Sequence, residues 1–209
     1  MNYRPHRSPT VEYIRRHNLG GLTFVPDDRV PPGHSVPAEA MRIKDASAEQ
    51  SKKTGGMVAL YPRQSDLEQL VVDDPNAEPI EDLHMTVIFL GEDVTGQDPT
   101  ELITQLDYIA SNYDPIDAQV FAHALFNPQG EEPCAVYLVG DNIDIVDFYT
   151  DMKKFVDERY PGSKEQHPVY TPHITAGYNI PIQKLRFTGP IVLDRIGLRW
   201  PGHDQDWNL

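Results

Sequence analysis

The chain has 209 residues, of which 39% are hydrophobic and 24% charged, a balance typical of a globular protein with one main core. Its 18 basic and 32 acidic residues give a formal net charge of −14 at pH 7. That charge argues against binding a long nucleic acid duplex, because such binding relies on lysine and arginine to neutralise phosphates. A small phosphorylated ligand remains compatible, since a few donors facing one pocket suffice to hold it.

The cysteine count argues against a disulfide-stabilised or cysteine-zinc protein, and the hydropathy pattern argues against a membrane-spanning or secreted protein. The single cysteine, Cys134, cannot form an internal disulfide and provides no cysteine-based zinc site, which favours a reducing compartment. No apolar run is long enough to span a bilayer, and the first residues lack the apolar region of a secretory signal. We therefore expect a cytoplasmic protein that does not bind a membrane.

The first 54 residues differ in composition from the rest. The segment 8–21 predicts a short helix, with Ser8 as its cap and Pro9 at the first helical position. A proline-rich arm and a polar stretch ending in glycines follow. We predict an N-terminal extension over 1–54 and a compact domain over 55–209.

From residue 57 onward, strand and helix patterns alternate. Leu102, Leu106 and Ile109 lie at helical spacing, whereas most other apolar runs are short and end at glycine or proline. In chain order, the patterns predict a strand over 57–62, a helix over 65–72, a strand over 83–91, a helix over 98–113, strands over 117–126 and 134–140, a helix over 142–160, a strand over 169–179, and one bent strand or two strands over 185–200.

The two halves of the domain resemble each other, because each holds one strong helix and one strand that carries the sequence His-x-Thr. The first is in "EDLHMTVIFLGED", which contains His84 and Thr86, and the second is in "YTPHITAGY", which contains His173 and Thr175. This repetition indicates an internal duplication. We predict an α+β fold with antiparallel-rich sheet and helices on the outer faces.

Within a strand, residues i and i+2 point to the same face, so each histidine projects together with its threonine. If the two strands lie near each other, two imidazoles and two hydroxyls converge on one surface. Near neutral pH an imidazole can act as base or as acid, and threonine hydroxyls can donate to phosphate oxygens. A single His-x-Thr is more often structural, but two copies at equivalent points favour catalysis. A metal site is the weaker alternative, since the chain has no His-x-His pair.

These motifs resemble those of the 2H phosphoesterase superfamily, and the resemblance covers about residues 57–200. The similarity is to its bacterial RNA 2′–5′ ligase and cyclic phosphodiesterase group. The opening strand of that group resembles "MVALYP", its two signatures resemble "EDLHMTVIFLGE" and "TPHITAGY", and its closing strands resemble "FTGPIVLDRIGL". The resemblance implies a bilobal fold of two pseudo-symmetric lobes, each with a sheet, around a cleft. It implies His84 and His173 as catalytic residues, Thr86 and Thr175 as phosphate-binding residues, and no metal or cofactor.

Three more residues are candidates for substrate binding. Tyr61 and Arg63 end the first strand, where the tyrosine is suited to stack on a base and the arginine to pair with a phosphate. Tyr170, three residues before His173, is the third candidate. The structural alternative is a packed tyrosine in each case and a surface arginine.

The expected partner is a small cyclic nucleotide or oligonucleotide, with RNA ends as a second class. Tyr178 stands where the RNA-processing group often has an arginine, and this departure, together with the acidity, favours the small cyclic substrate. Three functions stay open: a metal-independent phosphodiesterase acting on cyclic phosphates or cyclic oligonucleotides, which would degrade nucleotide immune signals if the chain is viral; a 2′,3′-cyclic phosphodiesterase or 2′–5′ ligase acting on RNA ends; and a cyclic-nucleotide-binding module without catalysis.

Overall fold

The computed structural model describes residues 54–140, 142–163 and 169–209. The strands are β1 (Gly56–Pro62), β2 (Met85–Gly91), β3 (Ile116–Phe126), β4 (Cys134–Gly140), β5 (His173–Tyr178), β6 (Gly189–Arg199) and β7 (Gln205–Asn208), and the helices are α1 (Gln64–Leu70), α2 (Thr100–Ala110) and α3 (Ile143–Arg159). The predicted N-terminal extension lies outside the described residues except for Thr54, so its boundary stays a prediction.

All strand pairings are antiparallel, and the sheet order is β1-β2-β5-β4-β3-β6-β7. β6 is long enough to serve both halves: its first part pairs with β3, and its second part pairs with β1 and β7. Because β1 thus contacts both β2 and β6, six strands close into a ring. The prediction of an antiparallel α+β fold is confirmed. The first lobe consists of β1, α1, β2, β7 and the second part of β6, and the second lobe consists of β3, β4, β5 and the first part of β6. The sheets of the two lobes are joined into one.

The helices cover one side of this sheet with the residues that their periodicity predicts. Leu102, Leu106 and Ile109 of α2 are buried, and so are Phe148 and Met152 of α3. The α3 helix begins where the Asn142 side chain accepts a hydrogen bond from the Asp144 amide. Burying each large aliphatic or aromatic side chain contributes about 1.5–3 kcal/mol, so this face supplies much of the stability. The main core contains residues of both lobes.

The C-terminal part of the chain differs from its prediction in two ways. β5 begins at His173 and not at residue 169, because Pro172 has no amide hydrogen to continue a ladder. The patterns over 185–200 form one strand, β6, and the polar strand β7 follows it. β7 was not predicted, since its four residues show no run of apolar side chains. No helix of the described residues is long and apolar enough to cross a membrane.

Candidate active site

The two His-x-Thr strands are neighbours in the sheet, joined by the antiparallel pair of Met85 and Ile174. Both of these residues are fully buried in the core. Since successive residues of a strand point to opposite faces, the residues on either side of them face away from the core. His84, which directly precedes β2, and Thr86 of β2 are half-buried on this other face.

The same alternation holds on β5, where His173 and Thr175 are half-buried and Ala176 is buried. Extending the Met85–Ile174 register by one residue in each direction sets His84 opposite Thr175 and Thr86 opposite His173. Directly opposite residues of antiparallel strands point to the same face, with Cβ atoms about 5 Å apart. The sheet therefore brings the four predicted residues to one surface, as the two motifs predicted.

Both histidines are held in the same way by the backbone before them. The Nδ1–H of His84 donates to the Asp82 carbonyl at 2.6 Å, and that of His173 donates to the Thr171 carbonyl at 2.7 Å. A carbonyl can only accept, so Nδ1 must carry the proton in each ring. A neutral ring then presents its lone pair at Nε2, and a protonated ring presents a second N–H there. Each histidine is thereby prepared to take or give a proton at Nε2.

Each histidine also lies against one aromatic ring of its own lobe. The Tyr61 ring centroid is 5.7 Å from that of His84, and the Phe126 centroid is 4.8 Å from that of His173, edge to face. Such contacts restrict the orientation of the imidazoles. The pseudo-symmetry of the site therefore extends beyond the two motifs to the residues that support them.

Each of the two threonine hydroxyls forms a hydrogen bond with a sulfur atom. The Thr86 hydroxyl donates to the Met57 thioether at 3.9 Å, and the Cys134 thiol donates to the Thr175 hydroxyl at 3.7 Å. Sulfur is a weak hydrogen-bonding partner. A phosphate oxygen would be a far stronger acceptor for either hydroxyl, so both threonines can exchange their present contacts for a charged ligand at small cost.

The position of β5 depends on a close backbone contact at Gly177. This residue has φ of 153° and pairs with Ala77, while the Glu78 amide donates to the Ala176 carbonyl at 2.9 Å. A Cβ atom at position 177 would lie 2.3 Å from the Asn76 carbonyl oxygen. Glycine is therefore required where the segment leading to the first motif crosses the strand of the second.

The walls of the site differ between the lobes. Val136 and Leu138 of β4 pair with Thr175 and His173, so they share the face of the second motif. They form a small buried apolar cluster with Ala124, Phe126 and Cys134. In the first lobe, the corresponding side of the sheet carries charged residues of β6 and β7, described below.

Tyr61 lies beneath two arginines of β6 that were not among the predicted site residues. The guanidinium carbons of Arg195 and Arg199 lie 4.5 and 5.0 Å from its ring centroid. These cations occupy positions over the ring that a base would take. Tyr61 is 2% exposed, and burial raises the pKa of its phenol, which keeps it neutral. Its predicted role in stacking on a base stays a prediction.

The sequence around the two arginines indicates which face of β6 they occupy. In "DRIGLRW", positions 195, 197 and 199 alternate with Ile196 and Leu198, which are fully buried. Such alternation assigns Arg195 and Arg199 to the face opposite the core.

Arg63 and Tyr170, the two remaining candidates, are engaged with the protein itself. The Arg63 guanidinium lies 3.6 Å from the Asp66 carboxylate in the first turn of α1. The Tyr170 ring is stacked on Tyr149 of α3 with centroids 3.9 Å apart, and its hydroxyl donates to the Thr86 carbonyl at 3.2 Å. Tyr170 thus joins the segment before the second motif to the strand of the first. No contact with substrate follows from these positions, and both assignments stay predictions.

Among the described residues, no group of three or more histidine, cysteine, aspartate or glutamate side chains is arranged to hold a metal ion. The expectation of a metal-free reaction is left to experiment.

Solved structures with the same architecture are found across 74–75% of this chain. TT0787 of Thermus thermophilus is 18% identical, with a TM-score of 0.54, and 94% of its length is covered. E. coli LigT complexed with NADP+ is 14% identical, with a TM-score of 0.51 and 98% covered. A protein described as a phosphoesterase is 14% identical, with a TM-score of 0.52 and 95% covered.

The chain has the LigT fold. The fold predicted from the two motifs is thereby confirmed, although identities this low establish the fold alone. No protein-family model matches the sequence, and no curated protein matches it either. Within the LigT fold, the closed antiparallel ring is what brings the two His-x-Thr strands side by side.

Proposed function

We propose that this protein is a metal-independent phosphodiesterase that hydrolyses a cyclic phosphate or a cyclic oligonucleotide by two-histidine acid–base catalysis. The observation that carries the proposal is the matched support of the two histidines. His84 directly precedes β2, and His173 is the first residue of the neighbouring strand β5; each donates Nδ1–H to the carbonyl two residues before it. A structural histidine has no need of a second copy held in the same tautomer.

The reaction follows from these positions. One histidine, neutral, accepts a proton from water at Nε2 while the water oxygen bonds to phosphorus. The other histidine, protonated, donates from Nε2 to the ribose oxygen as its bond to phosphorus breaks. The Thr86 and Thr175 hydroxyls donate to the non-bridging oxygens, where negative charge accumulates. The base has then gained a proton from water and the acid has lost one to the ribose oxygen, so the site returns to its starting state when the base releases a proton to solvent and the acid takes one up.

Two features of the comparisons support this interpretation. One protein of the same fold is described as a phosphoesterase, and E. coli LigT is described as complexed with NADP+, a ligand with several phosphates. Action on RNA ends is the second candidate, and the strong acidity of the chain makes it the less favoured one. If the chain is viral, the favoured activity would degrade nucleotide immune signals.

The test is hydrolysis of a panel in EDTA: nucleoside 2′,3′-cyclic phosphates, cyclic di- and trinucleotides, and RNA carrying a 2′,3′-cyclic end. We expect ring opening of at least one small cyclic substrate, detected by chromatography. His84→Ala and His173→Ala should each lower kcat by at least about 10²-fold with little change in Tm. His203→Ala is the matched control, since His203 is exposed and outside the site.

Three outcomes would contradict parts of the proposal. Tight stoichiometric binding without turnover would indicate a binding module. Loss of turnover on adding the chelator would exclude the metal-free reaction. A fully active double histidine variant would overturn the site assignment.

A further inference from the structure

A row of side chains runs from the first motif across three more strands on the same face of the sheet. Thr86 of β2 pairs with Ala59 of β1, Ala59 pairs with Gly197 of β6, and Gly197 pairs with Asp206 of β7. The two middle residues are small and buried, so the row forms a floor that begins at Thr86 and is covered by the Tyr61 ring at Gly197. Strands lie about 4.8 Å apart, which sets β6 about 10 Å from Thr86.

Two arginines stand at the far end of this floor. Arg195 and Arg199 flank Gly197 on β6, and the Tyr61 ring fills the gap between them. The gap exists because position 197 has no side chain: a Cβ atom there would lie 2.6 Å from the Tyr61 ring. The same ring contacts His84, so one aromatic side chain separates both cations from the predicted catalytic group.

The two guanidinium groups share one ion-pair partner, and the charges of Asp204 and Asp82 also act on this cluster. Asp206 is the one carboxylate within ion-pair distance of the two guanidinium groups among the described residues, at 2.7 Å from Arg199 and 3.4 Å from Arg195. The arginine side chains are 34% and 31% exposed, so they can reach a ligand. On a chain with a net charge of −14, these two arginines lie beside the candidate active site, because the Tyr61 ring contacts both of them and His84.

We infer that Arg195 and Arg199 bind a second phosphate of the substrate. The inference rests on the proposed function and narrows its substrate class to nucleotides with at least two phosphates, such as cyclic dinucleotides and oligonucleotides. The first phosphate lies between the two motifs, and the second reaches the partly exposed arginine side chains past the Tyr61 ring, which covers Gly197. Guanidinium groups suit this task, because their planar donors pair with two phosphate oxygens at once.

The alternative is that the arginines only fasten β7 to β6 through Asp206. Binding measurements separate the two roles without requiring turnover. Adenosine 3′,5′-bisphosphate and adenosine 3′-monophosphate are titrated by calorimetry into the full chain. We expect the wild type to bind the bisphosphate roughly tenfold more tightly or better, as a charge-assisted contact predicts. In Arg195→Gln and Arg199→Gln, the ratio of the two affinities should fall towards one.

Arg159→Gln is the matched control, because Arg159 is also paired with one carboxylate, Glu101, at 3.0 Å and lies on α3 outside the site. It should keep the wild-type ratio. Asp206→Asn gives the sharpest contrast. Freed from their carboxylate, the arginines should bind the bisphosphate more tightly than in the wild type, whereas a purely structural cluster would loosen and bind it no better.

A wild-type ratio near one overturns the inference, and so does an Arg195→Gln or Arg199→Gln variant that weakens both ligands equally at unchanged Tm. Failure of the proposed function looks different. In that case the affinity ratio and its dependence on the arginines persist, while the substrate panel shows no hydrolysis.

Discussion

At the scale of single residues, the two threonine hydroxyls that we propose as phosphate donors form hydrogen bonds with sulfur atoms, which are weak partners. Thr175 accepts only a thiol hydrogen bond from Cys134 among the described contacts, so its hydroxyl contributes little to folding. We expect Thr175→Val to lower kcat/KM by about 10²–10³-fold, the typical effect of removing one donor to a developing oxyanion. Tm should change little, because valine has nearly the same shape and β propensity.

The control variant removes the same hydrogen bond by changing its donor, Cys134, in place of Thr175. Cys134→Ala breaks the thiol–hydroxyl bond but leaves the Thr175 hydroxyl in place. This variant should keep kcat/KM within about threefold of the wild type. If both variants lost activity to the same degree, the contact itself would matter and the hydroxyl would not be a phosphate donor.

At the scale of elements, the geometry of β5 is set by the backbone crossing at Gly177. Alanine at this position meets both a backbone carbonyl 2.3 Å away and an unfavourable φ of 153°. Strain and overpacking of this kind together cost on the order of 2–4 kcal/mol. We expect Gly177→Ala to lower Tm by roughly 5–15 °C and to reduce kcat even where the protein is still folded. Thermal unfolding followed by circular dichroism measures the first effect.

Gly96→Ala is the matched control for this change, since nothing lies within 4 Å of the corresponding Cβ position. Its Tm should stay within about 2 °C of the wild type. A Gly177→Ala variant as stable and as active as this control would show that β5 and its threonine do not depend on the close crossing.

The helices α2 and α3 were predictable from the sequence because each buries one face of a regular pattern, and β4 was predictable because its short apolar run, buried throughout, ends at Gly140. The pairing of His84 with Thr86, and of His173 with Thr175, was predictable for the same reason. The position of Arg195 and Arg199 beside Tyr61 was not predicted, because it depends on β6 pairing with β1, a contact between residues far apart in the chain. The carbonyl partners of the histidines likewise depend on local backbone geometry that no side-chain pattern encodes.

At the scale of the whole molecule, a buried hydrogen bond of Tyr137 is one of the contacts that join the two lobes. This residue of β4 is buried at the centre of the main core, and its hydroxyl donates to the Leu70 carbonyl at the end of α1 at 3.1 Å. The hydrogen bond joins an element of the second lobe to a helix of the first. Burial raises the pKa of Tyr137 to about 12, well above its ordinary value of about 10.

This shift gives the stability of the whole fold a defined dependence on pH. Because the folded pKa exceeds the unfolded one, the contribution of Tyr137 is complete below pH 10 and is lost as the pH rises towards 12. Above pH 10 the unfolded chain releases the phenolic proton more readily than the folded chain, so unfolding becomes more favourable. The free energy of unfolding should therefore fall between pH 10 and 12.

Tyr137→Phe isolates this contribution. The variant should be about 1 kcal/mol less stable at pH 8, because the Leu70 carbonyl loses its donor. Its free energy of unfolding should then decline less steeply than that of the wild type between pH 10 and 12. Urea unfolding followed by far-ultraviolet circular dichroism at about pH 8, 10 and 11 measures both. Tyr108→Phe, at a position 64% exposed on α2, should follow the wild-type curve. Parallel curves for Tyr137→Phe and the wild type would mean that the phenol ionises as readily in the folded protein as in the unfolded chain, and that the buried link between the lobes does not control alkaline unfolding.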